Sequence, residues 1–156
     1  MPSNSRNDKQ YQADNEIYTP PSVFEALGVE FDLDVCAPKG GLPWIPAKKS
    51  YSLDDDGLAQ PWYGLVWCNP PYSKPKPWIE KFIAHNNGIM LVQVSQSLAT
   101  KELWEFATAI SLPRPPNFSF VDSNQKKRTI FMPVWLIAMG DVAAQALEQS
   151  EYGRVR

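Results

Sequence analysis

Asn69-Pro70-Pro71-Tyr72 directly follows the apolar run Leu65-Val66-Trp67-Cys68, and its residue types suit one task, the holding of a poorly nucleophilic amine. An amine conjugated to an aromatic ring has its lone pair drawn into the ring, so activating it takes hydrogen-bond acceptors rather than a strong base. The side-chain oxygen of Asn69 and a backbone carbonyl stiffened by Pro70 and Pro71 can each accept one N–H. That draws the nitrogen toward a tetrahedral shape and aims its lone pair at an electrophile. Tyr72 then offers a flat face for a planar base, a contact worth roughly 1–3 kcal/mol in nucleic-acid sites. The same four residues could also be only a rigid turn, so the elements around them matter.

Leu65 to Cys68 has no alternation, which suits a strand buried on both faces of a parallel sheet. Pro70, Pro71, Pro75 and Pro77 stiffen the next segment, and Trp78, Ile79, Phe82 and Ile83 then recur at helical spacing up to His85. Upstream, Thr19-Pro20-Pro21 precedes a short helix bearing Val23, Phe24 and Leu27 and stopped by Gly28. Phe31, Leu33 and Val35 alternate with Asp32 and Asp34 in a strand expected over Phe31–Ala37. Loop is expected from Leu42 to Gln60, with a short strand around Ser50–Leu53. Downstream, a strand over Ile89–Val94 leads to a helix carrying Leu103, Trp104, Phe106, Ala107 and Ile110. After Pro113-Arg114-Pro115-Pro116 come a strand over Phe118–Val121, a polar turn from Asp122 to Arg128, and a long strand over Thr129–Met139 in which Pro133 implies a bulge or an edge. A helix over Val142–Gln149 closes the order.

Strands alternating with helices predict an α/β fold, a Rossmann-like compact mixed sheet with helices on both faces and an antiparallel C-terminal hairpin made by the last two strands. Ligands of such sheets bind beyond the carboxyl ends of the strands, so Asp34 and Asn69 should share one rim. At 156 residues the chain suits one domain, expected over 18–150, after a flexible polar tail over 1–17. No room is left for a separate recognition module.

A formal net charge of -2 excludes holding a polyanion by bulk charge. The charge is uneven, however. Residues 1–80 carry seven Lys or Arg against eleven Asp or Glu, whereas 81–156 carry eight against six, so any polyanion should meet the second half, where Lys126-Lys127-Arg128 lies. Two cysteines, Cys36 and Cys68, each placed in an apolar run read as a buried strand, are too few for a disulfide scaffold or a Cys-based zinc site. No metal is expected. The absence of a long apolar stretch or signal peptide makes a cytoplasmic protein without a membrane partner the expectation.

Asn-Pro-Pro-Tyr after an apolar strand resembles the catalytic tetrapeptide of S-adenosylmethionine (AdoMet)-dependent amino methyltransferases. Tyr18-Thr19-Pro20, Asp34-Val35-Cys36-Ala37, Asp56-Gly57-Leu58 with Trp62, and Trp67 to Ser73 together look like the phage-type DNA N6-adenine methyltransferase (Dam) family, over roughly Tyr18 to Met139. The resemblance implies that Asn69 and the Pro70 carbonyl hold the target amine, with Pro71 stiffening the turn, and that Tyr72 stacks on an adenine flipped out of DNA. It implies that Asp34 binds the methionine part of AdoMet, with Thr19, Pro20, Cys36 and Ala37 nearby, and that Asp54 or Asp56 meets the nucleoside end. Ser73, Lys74, Lys76, Arg114, Lys126, Lys127 and Arg128 become candidates for contacts to DNA. A role in protecting DNA from restriction is likewise implied. Two other readings keep the same residues: an amino methyltransferase acting on RNA or on a protein glutamine, and a degenerate member that binds DNA without catalysis.

Overall fold

The computed structural model describes residues 17–113, 118–128 and 133–152. The first helix, α1 (Pro21–Leu27), starts with proline in its first turn and ends at Gly28, whose φ of 64° lets its N–H reach back to the Phe24 carbonyl. Then follow β1 (Phe31–Asp34), β2 (Ala47–Ser50), a single 3-10 turn (Leu53–Asp55) and β3 (Val66–Cys68). Next come α2 (Lys76–His85), β4 (Gly88–Gln93), α3 (Leu98–Phe106) and β5 (Ala109–Ser111). The short pair β6 (Phe120–Val121) and β7 (Lys127–Arg128), then β8 (Val134–Met139) and α4 (Asp141–Gln149), complete the described elements.

Six strands form one sheet in the order β2-β1-β3-β4-β8-β5. The first four are mutually parallel, and β8 runs antiparallel to both β4 and β5. The central strands lack alternation because both faces are covered. Trp67, Ile89, Leu91, Leu136 and Ala138 pack with α1 and α4 on one side, while Val66, Cys68, Met90, Val92 and Ile137 pack with Ile79 and Phe82 of α2 and Leu103 of α3 on the other. Both layers are apolar, and this three-layer arrangement is the expected α/β mixed sheet.

Several boundaries differ from the sequence expectation for physical reasons. The second strand falls at Ala47–Ser50, earlier than Ser50–Leu53, because its backbone pairs along β1 in the register Phe31 to Ala47 and Asp34 to Ser50. It is an edge strand, and its exposed Lys48 and Lys49 are edge-type residues rather than loop markers. Ile110 belongs to β5 and not to the preceding helix, which stops at Phe106. Its spacing from Leu103 and Phe106 mimicked a helical stripe, although Phe106 is exposed. The antiparallel hairpin exists, but Phe120–Val121 pairs with Lys127–Arg128 in a separate two-stranded sheet. The long last strand pairs instead with β4 and β5, and Pro133 stands just before it rather than inside it. Cys36 lies in the turn after β1, not in a strand, whereas Cys68 ends β3, and both thiols are free. Residues 1–16 of the expected tail, Arg114, and residues 129–132 of the expected last strand lie outside the described residues.

Candidate active site

The carboxyl ends of β1 and β3 open on a cavity of about 470 Å³, well within the range of small-molecule sites. Its walls come from four stretches of chain. Ile17, Tyr18 and Thr19 lead into α1; Asp34 ends β1, and Cys36, Ala37, Pro38 and Lys39 follow it; Leu42 and Ile45 come just before β2 and Leu53 just after it; Trp67 lies in β3, and Asn69 to Ser73 follow it. The sheet register explains the convergence, since Asp34 lies beside Trp67 in the parallel pairing and both chains then leave the sheet at the same rim.

Asp34 is 2% exposed, and among the described residues the one hydrogen bond to its side chain is from the Cys36 N–H to Oδ1 at 3.3 Å. No described Lys, Arg or His pairs with it. Burial therefore pushes its carboxyl up to about 7, only partly opposed by the Cys36 N–H. A carboxylate left so short of partners is poised to receive a cation. Burial also pushes the Cys36 thiol up to about 12, with the Asp34 charge adding to it, so Cys36 lines the cavity as an unreactive thiol.

Asn69 is half-buried, and its Nδ2 donates to Thr19 Oγ1 at 3.5 Å. Pro70 is buried and Pro71 exposed. Tyr72 is held edge-on by Phe120, with ring centroids 6.4 Å apart and planes at 85°. Its hydroxyl is buried with no hydrogen-bond partner among the described residues, and burial pushes the phenol well above the ordinary tyrosine range. Three polar side chains on this rim thus carry one long hydrogen bond each, or none.

The acidic run is disposed differently. Asp54 and Asp56 do not line the cavity, whereas their neighbour Leu53 does and is 90% exposed. Asp54 pairs with Lys39, itself a lining residue, at 3.6 Å. Asp55 closes a capping box by accepting from the Ser52 backbone N–H at 2.8 Å. Asp56 takes a left-handed backbone with φ of 53° that turns the chain into Gly57. A Cβ on Gly57 would collide with the Val35 carbonyl oxygen and press on the Trp78 ring. The spacing of Asp56-Gly57-Leu58 and Trp62 has a structural cause: the Trp62 indole donates to the Gly57 carbonyl at 2.8 Å. Lys81 braces the same loop through the Leu58 and Gln60 carbonyls and lies over the Trp62 ring. Trp62 therefore packs on Trp78 away from the cavity, and Trp67 is the tryptophan that lines it.

Of the DNA candidates, Ser73 lines the cavity and is exposed, Lys74 is exposed, and Lys76 pairs with Glu80 on the first turn of α2. Lys126, Lys127 and Arg128 lie at the turn and second strand of the small hairpin, shaped by Gln125 at φ of 62° and by Asp122 Oδ1, which accepts the Asn124 and Lys126 N–H groups. That hairpin is joined to the cavity wall. Tyr18 and Val121 exchange both backbone hydrogen bonds, at 2.8 and 3.0 Å. Pro20 is buried but does not line the cavity. Ile17, Leu42, Trp44 and Ile45 carried no sequence signal for the site, because only the fold brings the loop after β1 against the segment before α1.

Among the described residues, no helix is long and apolar enough to cross a membrane, and no group of three or more His, Cys, Asp or Glu is placed to hold a metal ion. A search of curated proteins finds no match. The family model for DNA N-6-adenine-methyltransferase (Dam) matches residues 6–130, a stretch holding the cavity, the Asn69-Pro70-Pro71-Tyr72 turn and the basic hairpin. A methyltransferase family of this kind generally implies AdoMet as methyl donor, with DNA as the substrate. With most of its length matched, the chain belongs to the DNA N-6-adenine-methyltransferase (Dam) family.

Proposed function

We propose that this chain methylates N6 of an adenine turned out of DNA, with Asn69, Pro70 and Tyr72 as the residues that receive the base. The observation that carries this reading is the placement of the Asn-Pro-Pro-Tyr turn and the unpaired, buried Asp34 on one cavity. The cavity suits AdoMet on three counts: its volume, its largely apolar walls, and a lone carboxylate facing a ligand with an ammonium and a sulfonium. When bound, that cofactor supplies an electrophilic methyl group. Asp34 holds its ammonium, with Cys36 and Ala37 beside it. Asp54 remains the candidate for the ribose hydroxyls, since it is exposed beside Leu53 and only loosely tied to Lys39.

Asn69 Oδ1 and the Pro70 carbonyl each accept one N–H of the target amine, and Pro71 keeps that carbonyl from turning away. Tyr72 stacks on the base, which compensates part of the unstacking cost of taking it from the duplex. Lys126, Lys127 and Arg128 meet phosphate on the hairpin side, with Ser73 and Lys74 nearer the cavity mouth. The domain acting here spans 18–150. Incubating the purified protein with methyl-labelled AdoMet and unmethylated DNA, then digesting the DNA to nucleosides, tests the reading. Label should appear as N6-methyl-2′-deoxyadenosine and fall to a small residual level in the Asn69→Ala protein. Transfer to RNA or to a protein glutamine instead, or no transfer at all, would overturn it.

A further inference from the structure

The contact beside Asn69 carries a further inference, which rests on reading Asn69 as an acceptor for the target amine. The oxygen and nitrogen of an asparagine amide are nearly the same size, so shape alone does not decide which of them faces the cavity. The reaction needs the oxygen there, because an N–H of Asn69 facing an N–H of the substrate sets donor against donor. Thr19 lines the same cavity and lies beside this amide. It is 1% exposed, and its Oγ1 accepts from Asn69 Nδ2 at 3.5 Å, which leaves Oδ1 directed away from Thr19. The contact is long for a hydrogen bond, as such contacts often are before a ligand fills the site and tightens them.

Thr19 is itself held from three sides. Its carbonyl accepts from the Trp44 indole N–H at 2.9 Å. On one side, Tyr18 exchanges backbone hydrogen bonds of 2.8 and 3.0 Å with Val121. On the other, the Pro20 carbonyl accepts from Val23 at 3.1 Å in the first turn of α1. The hydroxyl therefore keeps its place relative to β3 even though it is fifty residues from Asn69 in the chain.

We infer that Thr19 is a positioning residue: its hydroxyl anchors the amide of Asn69 by accepting from Nδ2, the arrangement that leaves Oδ1 for the target amine, and Trp44 holds Thr19 where it can do so. This differs from a contact to the cofactor, and the two roles separate in kinetics. Thr19→Val keeps the shape and removes the acceptor. It should lower kcat by roughly 10- to 100-fold, the scale of a slightly misplaced reacting group, while AdoMet Kd by calorimetry and KM for DNA stay within about threefold. Thr19→Ser restores the hydroxyl and should recover most of kcat. Trp44→Phe should lower kcat by less, with the same split. In the Asn69→Ala background, Thr19→Val should change the residual single-turnover rate no further, because its effect passes through the missing amide.

A loss of AdoMet affinity matching the loss in kcat would overturn the inference and make Thr19 a cofactor contact. Equal losses in the Val and Ser proteins, or a full additional loss in the Asn69→Ala background, would reduce Thr19 to packing. If Thr19→Val does not fold, Trp44→Phe decides alone, and an unchanged kcat there overturns the inference. An Asn69→Ala protein as active as the parent would instead defeat the acceptor reading itself, on which this one rests.

Discussion

The two ends of the sheet treat polar groups in opposite ways. At the amino-terminal end of the parallel strands, three polar side chains are well partnered. Asp32 accepts the Leu65 N–H at 2.8 Å with Lys48 at 3.5 Å, His85 Nε2 lies 2.8 Å from the Gly64 carbonyl, and Thr108 takes the Gly140 N–H at 2.9 Å. At the carboxyl end, among the described residues, Asp34 has one contact of 3.3 Å, Asn69 one of 3.5 Å, and the Tyr72 hydroxyl none. Asp32 and Asp34 sit two residues apart on one strand, yet the Leu65 N–H holds the first carboxyl below its ordinary range while burial pushes the second up to about 7. Buried polar groups are ordinarily satisfied, so a cluster that is not marks where a ligand completes the bonding. One end stabilises the fold, and the other is held ready at a cost.

The pair Asp32 and Asp34 gives the largest expected contrast. Asp34→Asn should weaken AdoMet binding by at least about 100-fold, the scale of losing a buried charge partner, as read by calorimetry. The same change should stabilise the ligand-free protein. The native carboxyl, with its pKa raised to about 7, binds a proton that the unfolded chain releases near pH 4, so parent stability falls as pH rises from about 4 to 7 and stays low above. Asp34→Asn removes that dependence, and its advantage in urea melts should grow over this window to on the order of 2–4 kcal/mol above pH 7. Asp32→Asn should do the reverse on both counts, losing stability and leaving AdoMet affinity unchanged. If the Asp34→Asn protein is less stable than the parent at pH 8, the contrast between the two ends fails.

The same carboxyl predicts the next effect in size. A cationic ligand needs Asp34 ionised and its own amine protonated, so AdoMet affinity should peak just above pH 7 and fall about tenfold per unit below it, with a proton released on binding near neutrality. Calorimetry in buffers of different ionisation enthalpy reads that proton. The Asp34→Asn protein, titrated at concentrations high enough to detect its weak binding, should release none.

The sequence made one part of this site legible and hid another, and the division follows chain distance. Asn69 to Tyr72 could be read because strand, rigid turn and helix are consecutive, and each has its own local signal in Leu65–Cys68, the prolines, and the Trp78 to Ile83 spacing. Asp34 could be read for the same reason, from the alternation before it. The roles of Trp44 and of the Tyr18 backbone could not, since their partners are Thr19 and Val121, reached only when loops and hairpin close. Within the acidic run, Asp54 pairs with the lining residue Lys39, Asp55 is engaged in its own cap and Asp56 in a turn toward Gly57, so neighbouring acids of one composition have separate local duties that composition does not distinguish. The strand order at the far edge was misread because Ile110 continued a helical spacing, while β8 found its partners in β4 and β5 rather than in its nearest neighbour in sequence.

The smallest effect is also the sharpest test of the contrast, because it uses single hydroxyls at the two ends. Thr108→Val removes an acceptor from the Gly140 N–H, a bond of 2.9 Å at the base of the sheet, and should cost about 1 kcal/mol in urea melts. Tyr72→Phe removes a buried hydroxyl that bonds to nothing in the ligand-free protein and leaves the ring packed on Phe120. Its stability should be unchanged or higher by up to about 1 kcal/mol, since no bond is lost and a desolvation cost is relieved. The ring face proposed to stack on the base is retained, so turnover should fall little, whereas Tyr72→Ala should raise KM for DNA if that stacking is lost. A Tyr72→Phe protein destabilised as much as Thr108→Val would mean that the hydroxyl is already satisfied without ligand, and the rim would then differ from the base in its residues but not in its energetics.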